Sequence, residues 1–228
     1  MIKMNIVFAY PTGLNPQKGG VERITDIIAK ILLKRGYTIF YLNWKREQDN
    51  YEYPVPVIDL PSSNLEDPNN LEVYNRFLKE NRIDVIINQH GLYEGTYFLS
   101  QVKVQNVKII SVLHSDPFGY YNHLFADLMT LRDSSIKEKV KRVARFFLYR
   151  KVKKIIHRSL VNHYTFIQEH PQYVCLLSES YKERLEEYCD LPDNYFISIP
   201  NPNTYENIEI IPHKEPILLF VGRLDNRS

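Results

Sequence analysis

Residues 5–42 constrain this chain more than any other stretch. Ile6-Val7-Phe8-Ala9-Tyr10 is an apolar run of strand length, and a turn-rich loop from Pro11 to Lys18 follows it. Gly19-Gly20 comes next. Val21-Glu22-Arg23 then opens an amphipathic run that reaches Arg35 and stops at Gly36, and Tyr37-Thr38-Ile39-Phe40-Tyr41-Leu42 reads as a second strand. Strand, glycine loop, helix and strand make the first βαβ unit of a parallel sheet. Without Cβ atoms, the two glycines let a ligand approach the main chain at the strand-to-helix turn. The helix start adds amide N–H groups and a partial positive charge, a combination that suits a phosphate. The loop is longer than a dinucleotide-binding turn and lacks G-x-G-x-x-G, so by itself the segment is equally consistent with a purely structural turn.

The remaining pattern extends the sheet. Residues 55–60 read as a short strand whose prolines place it at an edge. Leu71, Tyr74, Phe77 and Leu78 recur at helical spacing within 71–81, after a loop over 61–70. A buried-type strand over 83–87 ends at Asn88-Gln89-His90-Gly91, and a helix is expected over 93–102. The next strand, 107–113, ends at His114-Ser115-Asp116-Pro117. Strands follow at 173–177 and 194–199, separated by a helix over 179–189 with Ser178 as its cap. Such alternation specifies an α/β fold with a Rossmann-like, mostly parallel sheet flanked by helices. Ligands of these sheets bind at the carboxyl ends of strands, near a switch in strand order. Gly19-Gly20, His90 and His114 all fall at such ends and are candidates for one crevice. Each also has a plainer reading: His90 before Gly91 as a turn residue, and Asp116-Pro117 as the start of a helix. The aromatic loop Phe118-Gly119-Tyr120-Tyr121 is either a sugar-stacking surface or a core anchor.

From 134 to 160 the composition changes. Ile136, Val140, Val143 and Phe147 form one apolar stripe, which Leu148, Val152, Ile155 and Ile156 continue around the helix. Between Ile136 and Arg158 stand ten Lys or Arg residues and a single acid, Glu138. This basic amphipathic helix, for which the pattern allows one break, either packs on the core with a solvated basic face or meets anionic lipid head groups or an acidic glycolipid. Nucleic acid is not the expected partner, since no recognition module accompanies the helix.

Global composition excludes more than it selects. With 228 residues, 44% hydrophobic and 25% charged, the chain can bury a full core, and a net charge of +2 argues for no polyanionic partner. Cys175 and Cys189 make neither a disulfide framework nor a metal-type spacing. No signal-peptide pattern and no apolar run of membrane-spanning length is apparent, which places the chain in the cytoplasm, on the inner membrane face at most. The apolar strand Pro216–Val221 has no helix after it. A domain over 1–200, a linker over 201–215 and the first strand of a truncated second domain over 216–228 are therefore expected.

Taken in order, Gly19-Gly20-Val21-Glu22-Arg23, Arg35-Gly36-Tyr37, Ser111-Val112-Leu113-His114, residues 174–178, Ile199-Pro200-Asn201-Pro202 and Val221-Gly222-Arg223-Leu224 form a set. The set resembles the retaining GT-B-fold glycosyltransferases of the group 1 type (glycosyltransferase family four), across essentially the whole chain. The resemblance implies the N-terminal, acceptor-side half of a two-lobed enzyme that moves a sugar from a nucleotide-sugar donor to a cell-surface glycan or lipid-linked acceptor. It implies that Gly19, Gly20 and Arg223 meet the donor diphosphate, and that His114 lies near the transferred sugar. Glu22, Asp116 and Tyr120 are the expected acceptor or sugar contacts, and Asn201 and Pro202 the hinge. No metal or other cofactor is implied. The pattern departs from the family in two ways: the lysine after the arginine and the later acidic pair are missing, and Pro202 replaces the usual hinge glycine. At most half an active site is thus present, and the chain alone is expected to be inactive. A GT-B-like nucleotide-sugar epimerase or phosphorylase, or a non-enzymatic binding module, are the alternatives.

Overall fold

The computed structural model describes residues 3–45, 50–91, 93–119, 121, 122, 124, 136–170, 172–187, 190 and 192–202. Seven strands form one sheet: β1 (Asn5–Tyr10), β2 (Thr38–Asn43), β3 (Val57–Asp59), β4 (Val85–Asn88), β5 (Lys108–Leu113), β6 (Tyr173–Leu176) and β7 (Phe196–Ser198). Their order is β3-β2-β1-β4-β5-β6-β7, and every pairing is parallel. The chain builds outward from β1 to β3, then returns to the other side of β1 with β4. The order therefore reverses between β1 and β4, which is where an open α/β sheet leaves a crevice.

Helices α1 (Gly20–Lys34), α2 (Pro68–Glu80), α3 (Tyr93–Leu99), α4 (Ile136–Glu169) and α5 (Ser180–Leu185) cover the sheet. Central strands are buried on both faces, so their sequences are apolar throughout rather than alternating. In β1 the alternation shows in which core each residue enters. Val7 and Ala9 join Leu42, Trp44, Tyr74, Leu78 and Phe98 on one face, whereas Ile6 and Phe8 join Leu14, Ala29, Ile39 and Tyr41 on the other. A third cluster sits at the far end, where Leu160, Tyr164 and Ile167 of α4 pack on Leu113, Val174 and Leu176.

Local chemistry sets the helix ends. Gly36, at φ +85°, terminates α1: its amide donates to the Leu33 carbonyl and that of Tyr37 to Leu32, which closes the last turn with a left-handed residue. Helix α2 starts three residues before the expected 71. Asp67 caps it by accepting from the Asn69 amide at 2.9 Å, and Pro68 occupies the first helical position. Two expected helices are shorter: α3 ends at Leu99 rather than 102, and α5 spans Ser180–Leu185 rather than 179–189, with Glu179 and not Ser178 at the cap. Helix α4 is one continuous 34-residue element, without the break allowed for in the sequence. Of the two readings of its apolar stripe, core packing is not what the described residues show. Val140, Val143, Phe147, Leu148 and Ile155 are all half exposed or more, and among the described residues core contact begins at Ile156. The expected strand over 216–221, most of the linker and Cys189 lie outside the described residues.

Candidate functional site

Tyr10 at the end of β1, Val21 in the first turn of α1, Gln89 and His90 after β4, and Leu113 and His114 at the end of β5 line one pocket of about 210 Å³. Three elements that the sequence placed at strand ends thus converge at the switch between β1 and β4. His90 and His114 line this crevice; Gly19 and Gly20 do not, and α1 reaches it through Val21.

Asn88, at the end of β4, is the centre of a largely buried polar network. Asn88 donates to Thr96 Oγ1 at 3.1 Å and to Ser111 Oγ at 3.2 Å, and the Ser111 hydroxyl donates to Gln172 Oε1 at 2.9 Å. Gln172 in turn donates to the Ser100 hydroxyl. The network ties β4, β5, α3 and the α4–β6 turn together, and a satisfied buried network of this kind fixes its backbone. The other side of Asn88 accepts from the His90 amide at 3.1 Å, so the turn carrying Gln89 and His90 is anchored to it. The His90 ring stands edge-on to Tyr10 and Trp44. Gly91 has φ +39°, and a Cβ there would run into the Val112 carbonyl, so the close approach of this turn to β5 requires glycine.

His114 has a defined hydrogen-bonding state. Its Nε2 lies 2.5 Å from Gln89 Oε1. An amide oxygen only accepts, so Nε2 carries the hydrogen and donates. Burial lowers the His114 pKa below the ordinary histidine value, which favours the neutral ring. A neutral ring protonated at Nε2 leaves Nδ1 as an acceptor, and Nδ1 has no hydrogen-bond partner among the described residues. The imidazole can therefore accept a hydrogen bond from a ligand hydroxyl. Gln89 was not singled out in the sequence. The available signal was a polar Asn-Gln-His cluster closing a buried strand.

At the α1 start, Gly19 is extended, and no side chain caps the helix amides. A Cβ on Gly20 would meet nothing within 4 Å, so its main chain is open to approach. On Gly19 a Cβ would strike the carboxylate of Glu22, which folds back over it and is largely buried. Glu22 does not line the pocket; Val21 does. Both carboxylate oxygens of Asp116 are engaged: Oδ1 accepts from the Phe118 amide at 2.9 Å and Oδ2 from Arg184 at 2.8 Å. Phe118 is a core residue, against Tyr164 at 5.8 Å between ring centroids. Asn201 and Pro202 are exposed beyond β7, and Tyr120 and Arg223 lie outside the described residues. Among the described residues no cluster of three or more His, Cys, Asp or Glu could hold a metal, and no helix is long and apolar enough to cross a membrane.

No protein-family model matches the chain, and no curated protein matches it in sequence. Solved structures match its fold. Sucrose-phosphate synthase from Thermosynechococcus elongatus aligns with a TM-score of 0.53 at 13% identity, over 87% of this chain and 48% of that one. WaaG, a glycosyltransferase involved in lipopolysaccharide biosynthesis, aligns at 15% identity and a TM-score of 0.47, over 88% and 46%. A glycosyltransferase from Rickettsia africae ESF-5 gives 16%, 0.47, 87% and 43%. The chain spans less than half the length of each. Its fold is that of one half of a GT-B glycosyltransferase, a statement carried by the all-parallel seven-stranded sheet and the sucrose-phosphate synthase alignment.

Proposed function

We propose that this chain is the acceptor-side lobe of a retaining glycosyltransferase, which moves a sugar from a nucleotide-sugar donor to a cell-surface glycan or lipid-linked acceptor at the inner face of the cytoplasmic membrane. The observation that carries the proposal is the crevice at the β1/β4 switch, lined by the neutral His114 and by Val21 in the first turn of α1, whose start has no side-chain cap. Cleavage of a sugar–diphosphate bond builds negative charge on the departing phosphate. The open main chain at Gly20 and the guanidinium of Arg223 are the groups assigned to stabilise it. The Nδ1 atom of His114 accepts from a sugar or acceptor hydroxyl, and Gln89 holds the ring in the tautomer that permits this. The basic helix α4, with its exposed apolar residues, supports the membrane location.

Product analysis of the complete protein with a panel of nucleotide sugars tests the reading. Transfer with retained anomeric configuration is expected, and the 228-residue chain alone should show none. Epimerised or phosphorolysed sugar without transfer would overturn the assignment, as would turnover by the chain alone.

A further inference from the structure

The polar network around Asn88 has a direction. Its ends are main-chain groups, whose roles are fixed: the His90 amide only donates, and the Thr96 carbonyl only accepts. Between them the hydrogens run one way. The His90 amide donates to Asn88 Oδ1 at 3.1 Å, so Nδ2 of the same side chain faces Thr96 Oγ1 and Ser111 Oγ. Ser111 accepts from Asn88 and passes its own hydrogen to Gln172 Oε1 at 2.9 Å. Gln172 Nε2 donates to the Ser100 hydroxyl, which donates to the Thr96 carbonyl at 2.7 Å. Sheet register makes the path short. Asn88 and Ser111 are Cα partners in β4 and β5, and Val174, two residues after Gln172, is the partner of Ser111 in β6.

Gln172 is the member that imposes this direction from outside the crevice. A serine hydroxyl can donate to either neighbour, but an amide has one donor end and one acceptor end and exchanges them only by turning over. With Gln172 turned over, Nε2 would face Ser111, whose hydrogen would then point at Asn88. The Asn88 amide would have to turn as well and present hydrogens to the His90 amide. Two donors would meet at a side chain that is fully buried, where an unmade hydrogen bond is costly. In the observed arrangement every link points the same way, and aligned links strengthen one another in a low-dielectric interior. The same part of the chain reaches the turn a second time, because His163 of α4 hydrogen-bonds the main chain of Gly91. The far end of α4 and the turn after it therefore hold residues 90 and 91 together.

We propose that Gln172 is a positioning residue for the crevice: acting through Ser111 and Asn88, it holds the Gln89–His90 turn in the orientation that sets Gln89 against His114. Gln172 itself does not line that pocket. The inference rests on the crevice as the functional centre proposed above, but its test reads the 228-residue chain directly and requires no catalysis. Four variants are compared with the wild type. Gln172→Met keeps the length of the side chain and removes both polar ends. Ser100→Ala removes the acceptor of Gln172 at a half-buried position just beyond α3, where folding is least at risk, and Ser100→Thr restores the hydroxyl. Val174→Ala loosens the neighbouring core without touching the network. Hydrogen exchange at the His90 amide is referred to the amides of β1, which report global opening. It is expected to quicken about tenfold or more in Gln172→Met and about threefold or more in Ser100→Ala, and by less than about twofold in Ser100→Thr and Val174→Ala. Imidazole 15N spectra should show a second His114 tautomer in the first two variants and one tautomer in the others. If Gln172→Met does not fold, the two Ser100 variants decide. Wild-type exchange with a single His114 tautomer in Gln172→Met, or in Ser100→Ala, would overturn the inference. Equal quickening in Val174→Ala would also overturn it, in favour of general loosening, as would a failure of Ser100→Thr to restore the wild-type behaviour.

Discussion

His163 makes a quantitative prediction about pH. It is fully buried in α4, with Tyr97 and Tyr164 at 5.7 and 5.2 Å between ring centroids, and hydrogen-bonds the main chain of Gly91 behind the crevice. Burial lowers its pKa from 6.5 to about 4, the hydrogen bond to Gly91 opposing that shift. Between those values the unfolded chain holds a proton that the folded chain does not, so stability rises with pH across the window and is lost as pH falls through it. From pH 7.5 to 4.5 the loss attributable to this residue is on the order of 2 to 3 kcal/mol, the full 1.36 kcal/mol per pH unit applying only between the two pKa values. The perturbation is His163→Leu, of similar volume and without a titrating group. Urea unfolding at half-unit pH intervals gives the two stability curves. The variant starts lower, because the Gly91 bond is gone, but its curve should be flatter by about 2 to 3 kcal/mol over the window. His114 contributes with the same sign in both proteins and cancels in the difference. Parallel curves would refute the claim that His163 is held neutral by burial.

Three further outcomes are expected. Gly20→Leu should leave the melting temperature unchanged or raised while weakening donor binding in the complete protein, since nothing within the chain meets its side chain; a fall in stability would show the site is not open. Gly91→Ala should cost on the order of 3 kcal/mol in chemical denaturation, because it combines an unfavourable φ with a collision against the Val112 carbonyl. Gln89→Leu should remove the acceptor for His114 Nε2–H, and imidazole 15N shifts would then report loss of the single tautomer; an unchanged Nε2–H signature would remove Gln89 from its positioning role.

The sheet was legible in the sequence because parallel, doubly buried strands are continuous apolar runs. Residues 6–10, 83–87 and 107–113 each fall on a strand within two residues of its ends. Strand ends also pointed to the crevice: His90 and His114 stand where apolar runs stop and both line it, whereas of the glycine loop and helix start only Val21 does. Helix boundaries were less legible. Asp67-Pro68 outweighed the apolar spacing that begins at Leu71, and the cap set the start of α2. The stripe on α4 left two readings open for a different reason: periodicity shows that a helix has an apolar face but not what that face meets. Val143 and Phe147 are solvent-facing, whereas Tyr164 and Ile167 farther along are core. Partner geometry was also beyond reach, because the Gln89–His114 contact joins residues 25 positions apart across two strands. For Asp116, the N-cap pattern described the local bond to Phe118, while the long-range pairing with Arg184 required the fold.

The most direct test is the rate of sugar transfer by the complete protein in wild-type and His114→Ala forms, under saturating donor and acceptor. Loss of a transition-state contact predicts a fall in turnover of roughly a hundredfold or more with the fold intact. A variant that transfers sugar at the wild-type rate would contradict the assignment of the crevice as the catalytic centre.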